Sequence, residues 1–356
     1  MEVLDEKSEW NSYLEGYFPQ YNDTYFRYEY FDIFQRNYGL KPEGIFWNDD
    51  HICIFFPHLI RSLSPLTGGA GHHLFDLTTP YGYGGPLLVS KTRERDDLLR
   101  SLFRFRDDYF AYAREKNYVS EFIRFHPMFE MWRHFNQIFD LQYLSDTVVV
   151  DLTKSPEALR DQLSKNTRRY VTKSQKEFPS MKTVQQPSDA EMDLFFSLYY
   201  KTMEHQHVSR KYFFSEGFIR DHFSLLNSCF ISCQNSLGET GSIALFFRGD
   251  KIFHYHLGAT NYRFRTSPLR AVIWESILLA RKIGCTHLHL GGGRGRDDSL
   301  FTFKTGFSRE THPFYIGKII FREKEYRDLV QANAQAADDD SFFPLYRKGI
   351  EINIVE

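Results

Sequence analysis

The chain has 356 residues, of which 42% are hydrophobic, and this is enough for two ordinary domains that each bury a core. Its 44 basic and 46 acidic residues leave a formal net charge of −2, so no overall electrostatic field attracts nucleic acid or an anionic membrane. A polyanion would therefore have to bind at a local basic patch.

The sequence shows no sign of a signal peptide or of a membrane span. The opening sequence MEVLDEKSEWNSYLEGYF is acidic where a signal peptide is basic, and no segment approaches the roughly 18 apolar residues of a membrane span. We therefore expect a cytoplasmic protein. Its cysteines are too few and too scattered for a disulfide framework or a zinc site, and buried thiols are the simpler interpretation: Cys53, Cys229, Cys233 and Cys285.

Helix-like and strand-like stretches alternate in the first half of the chain. The patterns predict helices at 10–17, 28–38 and 93–117, and strands in HICIFFPHLI, EFIRFHPMF and TVVVDLT. Between them, LTGGAGHHLFDLTTPYGYGGPLL is rich in Gly, Pro and Tyr, which predicts a shaped loop that either binds a ligand or serves the structure.

A basic helix is predicted from Ser155 onwards, with Pro156 at the first helical position of SPEALRDQLSKNTRRYVTKSQKEF. This segment is the densest positive patch in the chain. It is either a solvated surface or a site for phosphates, and Arg168 and Arg169 are its candidate substrate-binding residues.

The second half has a clear order of elements. Helices at 190–205 and 216–226 precede a hairpin formed by CFISCQN and GSIALFFRG. A strand (KIFHYHLGAT), a helix (TSPLRAVIWESILLARKIG), a strand (THLHLGGG), a helix (DSLFTFKTGF) and a final strand (FYIGKIIF) follow. This order resembles the GNAT acyltransferase fold.

Several sequence motifs resemble those of one family with that fold, the Fem-type peptidoglycan-bridge aminoacyltransferases. The motifs are SKNTRRYVTKSQKEF, IFHYHLGAT, HLHLGGG and DSLFTFKTGFS, together with TPYGYGGP and IRFHP in the first half. The resemblance implies an α/β (α+β) fold of two tandem GNAT-like domains, each a mixed, largely antiparallel sheet flanked by helices. An acceptor-binding domain would occupy 1–150, and a domain with the FKxGF motif would occupy 151–356. One departure is that 227–241 leaves no room for the long helical arm of the Fem-type enzymes.

The turn before the predicted helix TSPLRAVIWESILLARKIG bears on which acyl donor the protein uses. A conventional GNAT protein binds the pyrophosphate of coenzyme A on a glycine-rich turn, whereas the corresponding ATNYRFRTSPLR has no glycine and Pro268 offers no N–H. Acyl-CoA is therefore the less expected donor, and the resemblance implies aminoacyl-tRNA instead, with no bound cofactor. Arg263, Arg265 and Arg270 would either meet its phosphates or lie on a solvated turn.

The resemblance also implies a catalytic lysine. Lys304 in FTFKTGF matches the family's FKxGF lysine, which would stabilise the oxyanion of acyl transfer; the alternative is a lysine that extends to solvent. A general base is also required, and His254 or His256 is the candidate, with Asp297 behind it.

Two pairs of histidines on neighbouring predicted strands are candidate metal ligands. His254 and His256 share one face of a predicted strand, and His287 and His289 share a face of the next. No pattern of acidic partners accompanies them, so no metal is expected and a hydrogen-bonded lining of a cleft is the preferred interpretation.

The run GGGRGRDDS either binds an anion through backbone N–H groups or forms a tight turn whose Asp298 caps a helix. Further candidates for holding the substrate come from both halves of the chain. They are Tyr81, Tyr83, Arg124, His126, Tyr255, Gly291, Gly292, Gly293, Arg294, Asp298 and Phe303.

These observations favour an enzyme that transfers an acyl or aminoacyl group onto an amine, with a cell-wall precursor or a related amino sugar or peptide as the acceptor. One alternative is an N-acyltransferase that uses acyl-CoA or an acyl-carrier protein on an amino sugar or amino acid. Another is a module that binds a glycopeptide without catalysis.

Overall fold

The computed structural model of the protein describes residues 1–66, 73–209, 212–293, 298–333 and 342–349. In chain order, the strands of these residues are β1 (Glu2–Leu4), β2 (Lys41–Asn48), β3 (Ile52–Ser62), β4 (Phe75–Thr78), β5 (Leu87–Ser90), β6 (Tyr118–Arg124), β7 (Leu141–Asp151), β8 (Ser180–Val184), β9 (Ser228–Gln234), β10 (Thr240–Arg248), β11 (Ile252–Thr260), β12 (His287–Gly292) and β13 (Glu310–Ile320). The α-helices are α1 (Lys7–Tyr17), α2 (Tyr28–Tyr38), α3 (Arg95–Glu115), α4 (Trp132–Phe135), α5 (Pro156–Asp161), α6 (Lys165–Glu177), α7 (Asp189–His205), α8 (Glu216–Leu225), α9 (Leu269–Lys282), α10 (Ser299–Thr305) and α11 (Glu323–Ala332).

Packing divides the chain into two compact units. Unit 1 comprises Met1–Leu144 and Phe314–Glu356, and unit 2 comprises Ser145–Pro313. The chain passes into unit 2 within β7 and returns to unit 1 within β13. The division into domains at 1–150 and 151–356 stays a prediction, and in packing terms the residues from Phe314 onwards belong with the first unit.

The strands of unit 1 lie in the order β1-β2-β3-β4-β6-β13, with β5 paired to another part of β3. Among its described neighbours, β4 and β6 run parallel and the others run antiparallel. Its helices bury apolar faces against these strands. In α2, for example, Tyr30, Phe31, Ile33 and Phe34 are buried, and the helix ends where Gly39 adopts a φ of 70°, which glycine tolerates.

A buried ion cluster fixes the C-terminal segment within unit 1. Asp76 on β4 accepts hydrogen bonds from Arg61 on β3 (3.0 and 3.2 Å) and from Arg347 (2.6 and 2.8 Å). The hydroxyl of Tyr346 donates another bond of 2.9 Å. Burial by itself would raise the pKa of Asp76, but the guanidinium groups of Arg347 and Arg61 lower it below its ordinary value. Paired charge without access to water therefore attaches this segment to the strands.

We expect Asp76→Asn to lower the free energy of unfolding by about 3–5 kcal/mol, because it leaves two buried guanidinium groups without their counter-charge. The stability that Asp76 provides is present above its unfolded pKa of about 3.9 and is lost as the pH falls through the lower folded pKa. Urea unfolding at neutral pH measures the change, with the exposed Asp107→Asn as control. A loss below about 1 kcal/mol, the range of a surface ion pair, would contradict this account.

The strands of unit 2 lie in the order β7-β12-β11-β10-β9-β8. Among its described neighbours, β11 and β12 are parallel and the other pairs are antiparallel. Buried side chains of the strands pack against α6 and α9 in one apolar core, which includes Val150, Phe246 and Leu288 from the strands and Val171 and Ile273 from the helices. Burial of this face holds α9 against β9, β10, β11 and β12, and holds α6 against α9.

The basic segment forms two helices, so the prediction of one long helix is wrong. α5 ends at Asp161, and α6 begins at Lys165 after Ser164, whose side chain accepts a hydrogen bond of 3.1 Å from the N–H of Thr167. Leu163 turns into the core between them and is 3% exposed. A new N-cap and a buried leucine therefore interrupt the helix where the sequence pattern alone continues.

The predicted fold class is confirmed, since each unit contains mixed, largely antiparallel strands flanked by helices. The cysteines named above are buried free thiols, as expected, and burial raises the pKa of Cys229 and Cys233 to about 12. The connection between β9 and β10 consists of residues 235–239, so no helical arm is inserted there. None of the helices in the described residues has the length and apolar character needed to cross a bilayer.

Candidate functional site

The parallel strands β11 and β12 separate along their length. Their pairing ends at His254 and His289, although β11 continues to Thr260 and β12 to Gly292. Beyond that point β11 stays paired with β10, where the register shifts after Leu245, and β12 stays paired with β7. Beyond that point the facing edges of β11 and β12 border an opening. The backbone N–H and C=O groups along these edges form no ladder hydrogen bonds between the two strands.

Lys304 lies at this opening. Asp298 caps α10 by accepting a hydrogen bond of 2.7 Å from the N–H of Phe301, and the helix then directs Lys304 towards the strands. The ammonium donates a bond of 2.6 Å to the C=O of Gly292 on β12 and lies 5.7 Å from the ring centre of Tyr255 on β11. The residue is 6% exposed. It therefore faces both strands that border the opening.

The surroundings of Lys304 lower the pKa of its side chain. Burial lowers the pKa of Lys304 to about 7, and the nearby carboxylate of Asp298 only partly offsets this effect. Both the ammonium and the neutral amine are therefore populated at neutral pH. The first form can stabilise a developing negative charge, and the second can accept a proton.

We expect Lys304→Met to be more stable than wild type at neutral pH, because it removes a buried charge. The folded protein releases this proton near pH 7 and the unfolded chain at about 10.4, so the unfolded chain binds more protons between these values. Wild-type stability should therefore rise by up to about 1.4 kcal/mol per pH unit in this window, and the advantage of Lys304→Met should shrink.

Denaturant unfolding between about pH 6.5 and 9.5 measures this difference. Lys282→Met, at an exposed position in the last turn of α9, is the control and should follow wild type. If wild type and Lys304→Met change in parallel with pH, the lysine is not buried as a charge in the folded protein.

The histidines of β11 lie on the opposite face of the strand from Tyr255, because side chains alternate along a strand. His254 faces the ring of His289 at 5.6 Å, and His256 packs on Phe247 at 4.2 Å. Burial lowers the pKa of His256 well below its ordinary value. The strand thus separates both imidazoles from the ammonium described above, and their role as general base stays a prediction.

Arg270 in the first turn of α9 connects three helices. Its guanidinium lies 5.2 Å from the ring centre of Tyr170 on α6 and 4.8 Å from that of Phe303 on α10, and it donates to the hydroxyl of Ser267 at 2.5 Å. Arg169 lies 5.0 Å from the same Tyr170 ring. Burial lowers the pKa of Arg270, and within the described residues its Nε has no hydrogen-bond acceptor. A stacked guanidinium with a remaining N–H suits a phosphate or carboxylate.

The two predicted substrate-binding arginines of the basic segment, Arg168 and Arg169, lie on α6. An open depression there is lined by Lys165, Arg168, Arg169, Thr172 and Lys173. Arg168 is half-buried and donates a hydrogen bond of 2.6 Å to the C=O of Asp161, whereas the lysines and Arg169 are exposed. We call Lys165, Arg168, Arg169 and Lys173 the basic face of α6.

The start of α6 contacts the end of α10. The N–H of Ser164 donates a bond of 2.9 Å to the C=O of Gly306, two residues after Lys304. A Cβ at Gly306 would overlap the hydroxyl of Thr167, so this close approach requires glycine. A backbone contact therefore fixes the first turn of α6 next to the helix that carries the lysine.

The glycine run 291–293 ends β12 at the opening. Gly291 has a φ of 73°, and a Cβ at Gly293 would overlap the carboxylate of Asp298, so both positions suit glycine. Asp298 acts as a helix cap, as one of the two predictions for this turn required. Arg294 and Asp297, which were also predicted as site residues, lie outside the described residues.

The candidate loop of unit 1 is packed against its own unit. The hydroxyl of Tyr30 donates a bond of 2.5 Å to the C=O of Tyr81, and the ring of Tyr83 packs edge-on against Tyr25 at 5.4 Å. Gly82 adopts a φ of 94° directly over Tyr25. These contacts support the structural interpretation of TPYGYGGP, and a role for the two tyrosines in holding the acceptor stays a prediction.

The candidates in IRFHP are also part of unit 1. Arg124 donates a bond of 3.3 Å to the C=O of Thr79, and its N–H bonds the Thr79 hydroxyl at 3.0 Å. His126 is 1% exposed, and its ring stacks on that of Phe129 at 4.1 Å. The backbone N–H of His126 donates a hydrogen bond to the C=O of Gly84. Both residues help to hold the loop, and their proposed contact with an acceptor stays a prediction.

The sequence pattern did not identify the arrangement around Arg270. Arg270 was a candidate for phosphate binding, but its stacking between Tyr170 and Phe303 joins residues about 100 and 33 positions away. The alternation of basic and aromatic residues in RRY and in FTFK was the available signal, since cations and aromatic rings near one another stack frequently.

Residues 160–305 match the sequence profile of the acetyltransferase (GNAT) domain family. The matched segment lies within unit 2 and includes α6, β11, β12 and Lys304. A search of curated proteins finds no match.

Solved structures with the same fold include FemX, which is 11% identical and has a TM-score of 0.65 over 92% of this chain and 99% of that chain. The C-terminal domain of a putative lysylphosphatidylglycerol synthetase from Agrobacterium fabrum is 13% identical, with a TM-score of 0.51 over 84% and 92% of the two chains. L-PGS from Bacillus licheniformis is 11% identical, with a TM-score of 0.50 over 83% and 93%. At these identities the likeness shows the fold, and the expected GNAT-like fold is confirmed.

Proposed function

We propose that this acyltransferase, whose residues 160–305 match the acetyltransferase (GNAT) domain family, transfers an aminoacyl group from a charged tRNA. The acceptor would be an amine of a cell-wall precursor or of a related amino sugar or peptide. The observation that carries the proposal is the ammonium of Lys304 at the opening between β11 and β12.

The chemistry requires a positive group beside the reacting carbonyl. The acceptor nitrogen attacks the ester carbonyl of the donor, and a tetrahedral oxyanion forms. The C–O bond to the ribose then breaks, the ribose oxygen takes a proton, and the new amide nitrogen loses one. The Lys304 ammonium, buried and already oriented by Gly292, stabilises the oxyanion without reorganisation of water.

An aminoacyl-tRNA donor is supported by the N-terminus of α9. Ser267 adopts a φ of 58° and Pro268 caps the helix without a side-chain hydrogen bond. Such a turn offers few N–H groups to a pyrophosphate, in contrast to the cations around Arg270. The acceptor class follows from the resemblance of the sequence motifs to the Fem-type peptidoglycan-bridge aminoacyltransferases, and the chain shares the fold of FemX. A cytoplasmic location, where charged tRNA occurs, is part of the proposal.

We expect Lys304→Met to reduce the rate of amide formation by about 100-fold to 1000-fold while the protein stays folded, because it removes an oxyanion donor. Mass spectrometry of products measures the rate with charged tRNA and a panel of muropeptide and amino-sugar acceptors. Lys282→Met should keep the wild-type rate. A Lys304→Met enzyme with unchanged rate would contradict the assignment of the lysine.

The pH dependence identifies the active form of the lysine. If the ammonium acts, kcat/KM for the donor should fall as the pH rises through about 7, where burial places the pKa of Lys304. Lys304→Arg keeps its proton over this range, so any activity that it retains should not show the fall. A rise through pH 7 in wild type would instead assign the lysine as a base.

The matched family favours a second candidate, an N-acyltransferase that uses acyl-CoA or an acyl-carrier protein, because its description names acetyl transfer. The product masses separate the two. An acyl increment from a thioester, without any aminoacyl increment from charged tRNA, would replace the proposed donor.

A further inference from the structure

A histidine between two carboxyl groups is buried in the sheet of unit 1. The Nε2 atom of His58 on β3 lies 3.1 Å from an oxygen of Glu43 on β2, and its Nδ1 atom lies 3.6 Å from an oxygen of Glu121 on β6. His58 and Glu121 are 0% exposed, and Glu43 is 5% exposed. Neither the reaction proposed at Lys304 nor the ion cluster that holds the C-terminal segment involves these side chains.

Helix α3 contacts this cluster through tyrosine side chains. The hydroxyl of Tyr109 donates a bond of 2.7 Å to the other oxygen of Glu121, and the hydroxyl of Tyr112 faces Glu43. Tyr118 on β6 donates a bond of 2.9 Å to the Glu43 oxygen that also faces the histidine. The cluster therefore joins β2, β3 and β6 to α3.

The other elements beside β6 bring no further charge to Glu121. Its partners in the sheet are Leu77 on β4 and Ile319 on β13, which are apolar. Helix α11 also packs on β6, but the hydroxyl of its Tyr326 accepts a bond from the N–H of Leu345 instead. Within the part of the chain that the structure describes, the charged or titratable groups that act on the Glu121 carboxyl are His58, Glu43 and Tyr109. No lysine or arginine is among them.

The contacts of His58 show where its hydrogens lie. Burial by itself would raise the pKa of Glu43, but His58 and the Tyr118 hydroxyl lower it below its ordinary value. Glu43 is therefore a carboxylate that only accepts, so Nε2 of His58 carries a hydrogen. Nδ1 of His58 and Oε1 of Glu121 are too far apart for a hydrogen bond, and neither has another partner within the described residues. An approach of roughly 0.5 Å would let one proton satisfy both atoms.

Loss of that proton changes the charge of a cluster that water does not reach. While the proton is present, on either atom, the three side chains together carry a single negative charge, and without it they carry two. Burial raises the pKa of Glu121 to about 7, although His58 and the Tyr109 hydroxyl partly oppose this effect. A second buried negative charge without a cation is unfavourable, and opening of α3 would admit water to it.

We propose that Glu121 and His58 form a pH-dependent switch, which holds α3 on the sheet of unit 1 while the two side chains share a proton and releases it when the proton is lost. The switch makes the order of unit 1 depend on pH without a ligand or a covalent change. This inference goes beyond the proposed function and does not depend on it, because all its groups lie in unit 1 and its test measures no transfer.

Hydrogen exchange of the full chain, read by mass spectrometry between about pH 5 and 8, measures the opening of α3 after correction for the chemical exchange rate. A solvated Glu121 titrates at about 4.3 and the buried one at about 7, so the closed form binds more protons between these values. The equilibrium constant for opening of α3 should therefore rise about tenfold per pH unit up to about pH 7 and level off above it.

Glu121→Gln resembles the protonated side chain, because its amide can accept from Tyr109 and donate to His58. We expect this variant to lose the rise with pH, so that at about pH 8 its α3 opens at least tenfold less often than that of wild type. Glu115→Gln, at an exposed position in the last turn of α3, is the matched control and should follow wild type. A parallel rise in wild type and Glu121→Gln would overturn the inference.

The wild-type measurement decides the matter by itself if the Glu121→Gln chain does not fold. Exchange from α3 that, after the same correction, stays constant or slows between about pH 5 and 7 would overturn the inference. Neither result bears on transfer at Lys304, which is measured through its products.

Discussion

The divergence of β11 from β12 is the constraint on which the candidate site depends. As long as two strands pair, their inner N–H and C=O groups serve one another; after His254 and His289 they do not, and α10 can reach the gap. The ammonium of Lys304 lies in this gap and donates a hydrogen bond to the C=O of Gly292. Burial away from water destabilises the charged form of the side chain. A negative charge that forms opposite the ammonium during a reaction would reduce that cost, which is the condition for selective stabilisation of a transition state.

Contacts among α6, α9 and α10 hold this arrangement in place. Gly306 allows the first residues of α6 to approach α10, and Arg270 fills the space between Tyr170 and Phe303. The same three helices thus position the lysine and present the cations of α6. The break between α5 and α6 contributes to this arrangement, because it leaves the N–H of Ser164 free of the helix to bond the C=O of Gly306.

Local patterns predicted most helices and strands of the chain, because an amphipathic period or a cap marks them, as in α2 and α9. They did not predict β2, whose sequence KPEGIFWN contains residues that disfavour strands, or β8, which is largely exposed. The N-cap at Ser164 was missed since SKNT also reads as helix. Contacts between distant residues were beyond reach: Arg347 bonds Asp76 across 271 positions. Lys304 was found through its motif, whereas its burial and lowered pKa required the structure.

The most direct test of the central claim is the titration of the Lys304 side chain by carbon NMR of the lysine Cε groups, assigned by comparison with Lys304→Met. It is performed on the free protein and with a phosphonate analogue that carries the negative charge of the tetrahedral intermediate. The account predicts a midpoint near pH 7 in the free protein, from burial, and a higher midpoint when the analogue is bound, because an adjacent anion favours the ammonium. A midpoint of about 10.4 in the free protein, or one that the analogue leaves unchanged, would contradict it.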